Sequence, residues 1–286
     1  MKYFAATFLL GIAVQVGYGQ GVGMQESPSA KMAASVMQRW PMGVVTTENK
    51  PGEWAYEEGA LLDGMAAEWH TTANGDEFRY IKTAVDKYVM KDGSIKMNKD
   101  GGTYPVDAHS LDNIEMGRAV VLLYRVTQDE RYYKAAKFLH DQLDAQPRTP
   151  SGAYWHKQVY PNQIWLDGAY MAGPFKAAYA ATFQQPGDFD DIAKELLLMD
   201  THMRDVNTGL LRHGWDDSPA NKMPWADAKT GLSPEAWTRA MGWYAVALVD
   251  VVDWFPQDHP ERQELISALN RTMAAAVHYQ DKKTGP

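Results

Sequence analysis

The sequence predicts an all-α protein made of repeated helical hairpins that close into an α/α toroid. Three observations lead to this prediction: strand patterns are scarce after residue 30, helical patterns come in pairs, and long loops join one pair to the next. A solenoid of hairpins usually has more uniform connections, so the long loops favour the closed ring. Loops of this length at one end of a ring are where a binding site would be built.

The first 19 residues have the pattern of a secretory signal peptide. Lys2 precedes the apolar run Tyr3–Val16, and small residues follow it up to Gly19. The run is too short to span a bilayer comfortably. We therefore expect cleavage after Gly19, a secreted or periplasmic protein without a membrane anchor, and a loose lead-in over residues 20–30.

Helical periodicity then defines one opening helix, Lys31–Trp40, and four pairs of helices with short turns inside each pair. The predicted pairs are Glu57–Trp69 with Glu77–Val89, Asn113–Val126 with Arg131–Leu143, Gly173–Phe183 with Asp191–Met203, and Pro234–Trp254 with Glu261–Val277. The first helix of each pair is rich in apolar and small residues and the second is amphipathic, which predicts an inner and an outer ring. An aspartate stands before each second helix, where its carboxylate can accept from free amide groups. These aspartates are Asp76, Asp129, Asp188 and Asp258.

The composition excludes several kinds of site. The 28 basic and 36 acidic residues give a net charge of −8 without a basic run, which argues against nucleic-acid binding. The absence of cysteine excludes disulfides, thiol catalysis and cysteine-based zinc sites. The eight histidines contain no His-Glu-x-x-His pair, so we expect no metal and no other cofactor.

The long loops carry the polar and aromatic residues that a site needs. The loop Gly152–Gly168 places His156, Trp165 and Asp167 at the entrance of an inner helix, and Asp112 stands where the preceding inner helix begins. Two carboxylates that converge on one end of a barrel suit acid–base catalysis on a sugar. The alternative is that each carboxylate only caps its helix.

Further aromatic and cationic groups are predicted to lie at the same end of the ring. Trp237 is followed by Arg239 and Trp243, and the last two share a helix face because they are four residues apart. Indoles can stack on sugar rings and a guanidinium can bind a carboxylate through two hydrogen bonds. A cation–π pair that only stabilises the helix is the alternative. The excess of 10 Trp and 15 Tyr over 8 Phe is consistent with a sugar-binding rim.

Three motifs in these loops occur at residues 162–175 (NQIWLDGAYMAGPF), 213–216 (HGWD) and 237–243 (WTRAMGW). Together they resemble the unsaturated rhamnogalacturonyl hydrolases of glycoside hydrolase family 105, relatives of the unsaturated glucuronyl hydrolases of family 88. The resemblance runs from about Trp40 to the C-terminus and implies an (α/α)6 barrel. About nine of twelve helices are recognisable, so we expect residues 31–286 to form a barrel domain truncated at its C-terminus. An incomplete ring would expose an apolar seam.

The resemblance also implies an activity that composition could not indicate. Such enzymes use no metal and release the terminal 4,5-unsaturated galacturonic acid from pectin-derived oligosaccharides by hydrating its vinyl ether. By residue correspondence Asp167 would be the acid that protonates C4 and then the base that activates water. Asp112 would bind sugar hydroxyls and act on the pKa of Asp167 as a neighbouring charge. The substrate-binding residues that the resemblance implies are Tyr56, His156, His213, Trp237, Arg239 and Trp243.

Three alternatives remain at this stage. An unsaturated glucuronyl hydrolase would act on other uronyl disaccharides, a carbohydrate-binding remnant would bind sugar without removing the double bond, and an ordinary glycosidase would cleave saturated substrates. The group that binds the uronate carboxylate is either Arg239 or a histidine. The sequence indicates no oligomeric state.

Overall fold

The computed structural model describes residues 27–43, 53–97, 102–105, 107–220 and 222–284. The helices are α1 Pro28–Arg39, α2 Tyr56–Thr72, α3 Gly75–Asp86, α4 Gly117–Thr127, α5 Glu130–Asp144, α6 Asp167–Phe183, α7 Gly187–Met203, α8 Thr238–Trp254 and α9 Arg262–Tyr279. Two short strands, β1 Gln163–Trp165 and β2 Gly214–Asp216, pair in antiparallel fashion. The all-α prediction is confirmed. The expected signal peptide, residues 1–19, lies outside the described residues, and none of the helices described is long and apolar enough to cross a membrane.

Inner and outer helices alternate along the chain, as the hydrophobic patterns predict. The inner helices pack side by side in chain order, α2 against α4, α4 against α6 and α6 against α8. The helix that follows each of them packs behind it, so α3, α5, α7 and α9 form an outer layer, and α1 packs on α2 and α3. Because successive inner helices all run back from the same end of the ring, the loops that precede them collect at that end.

The composition of α6 explains its position between two other inner helices. Every residue from Gly168 to Ala180 is buried, because an apolar helix with small side chains can be covered on all sides. The approach of α4 to α6 depends on Gly117, where an added Cβ would lie 2.5 Å from the ring of Phe175. In contrast, α8 leaves Val246 and Val249 exposed.

An ionic network ties the inner helices together beneath the loops. Arg118 of α4 pairs with Asp63 of α2 at 2.6 Å and with Asp250 of α8 at 2.8 Å. The hydroxyl of Tyr170, on α6, donates to Asp63 at 2.7 Å. Burial alone would lower the pKa of Arg118, but the facing carboxylates hold it above its usual value. Burial, together with the charge of Asp63, raises the pKa of the adjacent Glu115 well above its usual value.

The capping prediction is confirmed for one aspartate and wrong for the others. Asp129 caps α5, since its carboxylate accepts from the amide of Arg131 at 3.0 Å. Asn74 caps α3 in place of Asp76, which lies in the first turn of that helix. Asp188 likewise lies in the first turn of α7, and Asp258 lies in the turn before α9. A one- or two-residue shift of the helix start is enough to exchange a cap for a first-turn acid.

The inner helices begin at other residues than predicted, and this changes where the carboxylates stand. Leu111–Asn113 forms a separate 3-10 turn, and α4 begins only at Gly117. Asp112 therefore lies in that turn. The sequence had suggested that it stands at the start of an inner helix, and this prediction is wrong. Asp167 is the first residue of α6, which begins well before the predicted Gly173.

Candidate active site

Asp167 is held by a histidine that the two short strands bring to it. The pairing of Trp165 with Gly214 places His213 beside the start of α6, and the amide of Leu166 donates to the His213 carbonyl at 3.0 Å. Oδ2 of Asp167 lies 3.1 Å from Nε2 of His213, and the carboxylate is 14% exposed. The helix has no side-chain cap and Leu166 is its N-cap residue. The alternative that Asp167 only caps the helix is therefore wrong.

Asp112 is held in the same way, by a second histidine and by a lysine. Its Oδ1 lies 3.2 Å from Nε2 of His156, and its Oδ2 lies 2.5 Å from Nζ of Lys157. The amide of Leu111 donates to the His156 carbonyl at 3.1 Å, which fixes the two segments side by side. Burial alone would raise the pKa of Asp112, but the hydrogen bonds and charges of His156 and Lys157 outweigh burial and hold it below its usual value.

Trp165 joins the two Asp–His pairs into one site. The His156 ring stacks on its indole with ring centroids 4.8 Å apart, and the His213 ring lies 5.6 Å away in a tilted orientation. Tyr160 stacks on the same indole at 4.9 Å. Because both imidazoles contact one indole and each bonds a carboxylate, Asp112 and Asp167 belong to one cluster at the loop end of the inner helices, here named the opening.

The start of α8 supplies an aromatic and a cationic group to this opening. Trp237 packs edge-on against His213 with ring centroids 4.9 Å apart, and the guanidinium of Arg239 lies 4.0 Å above the Trp237 ring. Burial raises the pKa of the Tyr56 hydroxyl, the charges of Glu57 and Asp112 raise it further, and the charge of Arg239 lowers it. Tyr56, the first residue of α2, is thus within electrostatic reach of both sides of the opening.

The Arg–Trp cation–π contact that the sequence left open as an alternative does occur, but not with Trp243. Arg239 stacks on Trp237 instead, and Trp243 packs against Tyr170 of α6 with ring centroids 4.6 Å apart. Since Tyr170 donates to Asp63, Trp243 rests on the ionic network below the site. Direct contacts, several of them through Trp165, therefore connect six of the eight predicted residues, whereas Tyr56 is linked to them only by charge interactions and Trp243 packs on Tyr170.

Lys157 is a site residue that the sequence analysis missed. It directly follows His156 in the loop, and a backbone bridge between Ser110 and Lys157 turns its ammonium group toward Asp112. Lysines in polar loops are common, so only the bridge, which joins residues far apart in sequence, identifies this one. A basic residue next to a predicted imidazole was the available indication.

Two other polar regions of the described chain lie away from this opening. His140, Asp144 and Asp188 have ligand atoms close enough for a metal ion, but the ammonium group of Lys176 already lies 3.3 Å and 3.5 Å from the two carboxylates. A cavity of about 400 Å³ between α2, α4 and α8 is lined by the ion-paired Arg118 and by residues near the other helix ends. The cavity also contains carboxylates and an indole, but Arg118 pairs with Asp63 and Asp250, and the guanidinium of Arg125 lies 4.7 Å from the centroid of the Trp254 ring.

The helices thus carry two partly buried carboxylates, one at the start of α6 and one in the turn before α4, among indole and imidazole rings, and paired carboxyl groups of this kind suit acid–base chemistry on a sugar. The comparisons with known proteins agree. The model of Glycosyl Hydrolase Family 88 matches residues 28–286, and the chain belongs to that family.

Its relatives include family 105 enzymes. A family 105 glycoside hydrolase of C. acetobutylicum ATCC 824 is 34% identical, with a TM-score of 0.81 over 91% of this chain and 68% of that one. A possible family 105 member from Klebsiella pneumoniae subsp. pneumoniae MGH 78578 is 16% identical and shares the fold, with a TM-score of 0.71 over 97% of this chain and 72% of that one.

Among curated proteins, the unsaturated rhamnogalacturonyl hydrolase YesR of Bacillus subtilis (strain 168) is 25% identical over 235 residues, which are 80% of this chain. The match covers 62% of YesR. The chain thus spans less than two thirds of the length of this relative.

Proposed function

We propose that this protein removes the terminal 4,5-unsaturated galacturonic acid from rhamnogalacturonan-derived oligosaccharides. The observation that carries the proposal is the pair of carboxylates, Asp112 and Asp167, each bonded to a histidine on either side of Trp165. The similarity to YesR, whose name states an unsaturated rhamnogalacturonyl hydrolase, supports this substrate class.

Asp167 is the proton donor in this proposal. It transfers its proton to C4 of the vinyl ether, positive charge develops at C5, and water adds there while Asp167 takes a proton back. The C5 hemiketal then opens to a ketone and leaves a hemiacetal at C1, which releases the remaining sugar. His213, at 3.1 Å, orients the carboxyl group for both transfers.

Asp112 has the complementary role of a carboxylate that stays ionised. Its pKa is held below the usual value by His156 and Lys157, so it accepts hydrogen bonds from sugar hydroxyls. Because the two carboxyl groups have different surroundings, Asp167 can act as the proton donor while Asp112 stays ionised.

The aromatic and cationic groups of the rim bind the sugar ring. Trp237 is 36% exposed and offers an indole face, and Arg239 beside it is exposed and carries a positive charge. The N-termini of α2 and α6 point at the same opening, and helix N-termini attract anions. These features suit a substrate whose terminal sugar carries a carboxylate.

The test follows the double bond directly. Incubation with an unsaturated rhamnose-linked disaccharide should remove the ultraviolet absorbance of the C4=C5 bond, and Asp167→Asn should abolish this loss. Asp190→Asn is the matched control, because it removes one carboxylate from an exposed position on the outer helix α7. Full turnover by Asp167→Asn refutes the assignment of the acid, and no loss of absorbance with the unaltered protein refutes the proposed function.

The match to the Family 88 model favours one second candidate, an unsaturated glucuronyl hydrolase. Rhamnose-linked and amino-sugar-linked unsaturated disaccharides assayed side by side separate the two specificities. Binding detected by tryptophan fluorescence without loss of the double bond would identify a carbohydrate-binding remnant. Cleavage of a saturated substrate would identify an ordinary glycosidase.

We also propose that the protein is exported, to the periplasm or the medium. The proposal is supported by the charged, apolar and small-residue pattern of residues 1–19. Mass measurement of the protein recovered from cell fractions tests it. Loss of the first 19 residues in an extracytoplasmic fraction is expected, and a chain that keeps them in the cytoplasm contradicts it.

A further inference from the structure

A buried carboxyl group on the outer layer reaches the loop that carries the Asp112 partner. Glu195 of α7 is 6% exposed, and its Oε1 and Oε2 lie 3.2 Å and 3.0 Å from the amide nitrogen of Tyr154. Burial raises the pKa of Glu195 to about 8. The carboxyl group has no part in the proposed chemistry, yet burying it is costly and needs a compensating role.

The side chain of the same tyrosine is held by neighbouring groups. The Tyr154 hydroxyl donates to Asp191 at 2.8 Å and accepts from Lys176 at 3.1 Å, while the guanidinium of Arg148 lies 3.9 Å above its ring. Asp191 and Glu195 are four residues apart and share one face of α7. This face therefore holds both the main chain and the side chain of Tyr154.

Hydrogen bonds also hold the main chain between Tyr154 and His156, the histidine that contacts Asp112. The next carbonyl, of Trp155, accepts from the side-chain amide of Gln146 at 2.7 Å. His156 donates its amide to the Gln163 carbonyl at 2.8 Å. An added Cβ on Gly168 would lie 3.2 Å from Nδ1 of His156. The main chain is thus held at three consecutive residues, and Glu195 holds the first of them, two residues from His156.

We propose that Glu195 is a positioning residue for the active site: by holding the main chain at Tyr154, it sets His156 against Asp112. The catalytic consequence rests on the proposed function, but the geometric consequence does not. Loss of the contact should turn the His156 imidazole away from Asp112 and leave that carboxylate paired only with Lys157.

The test compares four variants by NMR of histidine side chains, and turnover is measured alongside. Glu195→Ala should shift the His156 imidazole resonance toward its position in Asp112→Asn and lower kcat about tenfold, with little change in KM. Glu195→Gln should keep the resonance and most of kcat, because its amide oxygen still accepts from Tyr154. The control Asp200→Asn removes another buried acid of α7, which pairs with Arg204 and Arg271, and should lower the Tm without moving the His156 resonance.

Three results would overturn the positioning role. They are an unchanged His156 resonance in Glu195→Ala, an equal shift of it in Asp200→Asn, and a shift of it in Glu195→Gln as large as that in Glu195→Ala. If the unaltered protein does not remove the double bond, the proposed function fails, whereas the resonances still decide whether Glu195 positions His156. Should Glu195→Ala not fold, the shape-matched Glu195→Gln and Glu195→Leu pair provides the same comparison.

Discussion

The stability of this protein should fall as the pH rises through neutrality, because of Glu195. Its carboxyl group is buried on α7, and burial raises its pKa from 4.5 to about 8. Between these values the unfolded chain has released the proton that the folded protein keeps. The unfolded state then binds fewer protons, so the free energy of unfolding decreases with rising pH.

The size of the effect follows from the width of this window. Each pH unit within it costs between about 1 and 2 kcal/mol of stability, so the loss across the window is at most about 5 kcal/mol. Below 4.5 the carboxyl group is neutral in both states, and above about 8 it is ionised in both. The loss is therefore confined to the interval between the two values.

Urea unfolding of the unaltered protein and of Glu195→Gln across this window measures the effect. The glutamine stays neutral, so the variant should match the unaltered protein at the acid end and become progressively more stable by comparison toward the alkaline end. Thr149→Val is the control, because it changes a buried group that does not titrate and should give a constant difference. A constant difference for Glu195→Gln as well would refute the argument from burial.

Three further changes test the site and its support. Lys157→Met should raise the pKa of Asp112, since an opposing charge at 2.5 Å is lost, and should move the acid limb of the kcat/KM profile to higher pH. Arg118→Met leaves Asp63 without its cation and should lower the free energy of unfolding by about 3–5 kcal/mol in urea. Trp237→Ala should raise the KM for the disaccharide by about fivefold, since roughly 1 kcal/mol of stacking is lost.

Each of these predictions has a matched control. Lys137→Met removes an exposed lysine of an ion pair and should leave the pH profile unchanged. Arg79→Met, also from an exposed pair, should cost less than about 1 kcal/mol. An unmoved acid limb in Lys157→Met, equal losses of stability in the two arginine variants, or an unchanged KM in Trp237→Ala would contradict the respective argument.

Local patterns were sufficient for the helices but not for their ends. Every predicted helix is present, because apolar periodicity over three or four turns is a strong local property. The starts of α4 and α6 and three of the four aspartate caps were wrong. These depend on where the loop meets the ring, as the bridge between Ser110 and Lys157 shows.

The candidate site was predicted in part for the same reason. The motifs identify Asp112, Asp167 and their two histidines, because those residues stand in conspicuous aromatic loops. The motifs do not indicate which of the two histidines bonds which carboxylate. The structure assigns His156 to Asp112 and His213 to Asp167, the latter through the pairing of β1 with β2.

The sequence by itself determined the all-α class, the alternation of inner and outer helices and the residue types of the site. These properties follow from periodicity and composition, which neighbouring residues specify. Only the tertiary structure decided which groups pair with Asp112, that Trp243 packs on Tyr170, and that Glu195 accepts from the amide of Tyr154. Each of these contacts joins residues that are far apart in the chain, and their energies depend on distances that only the packed helices set.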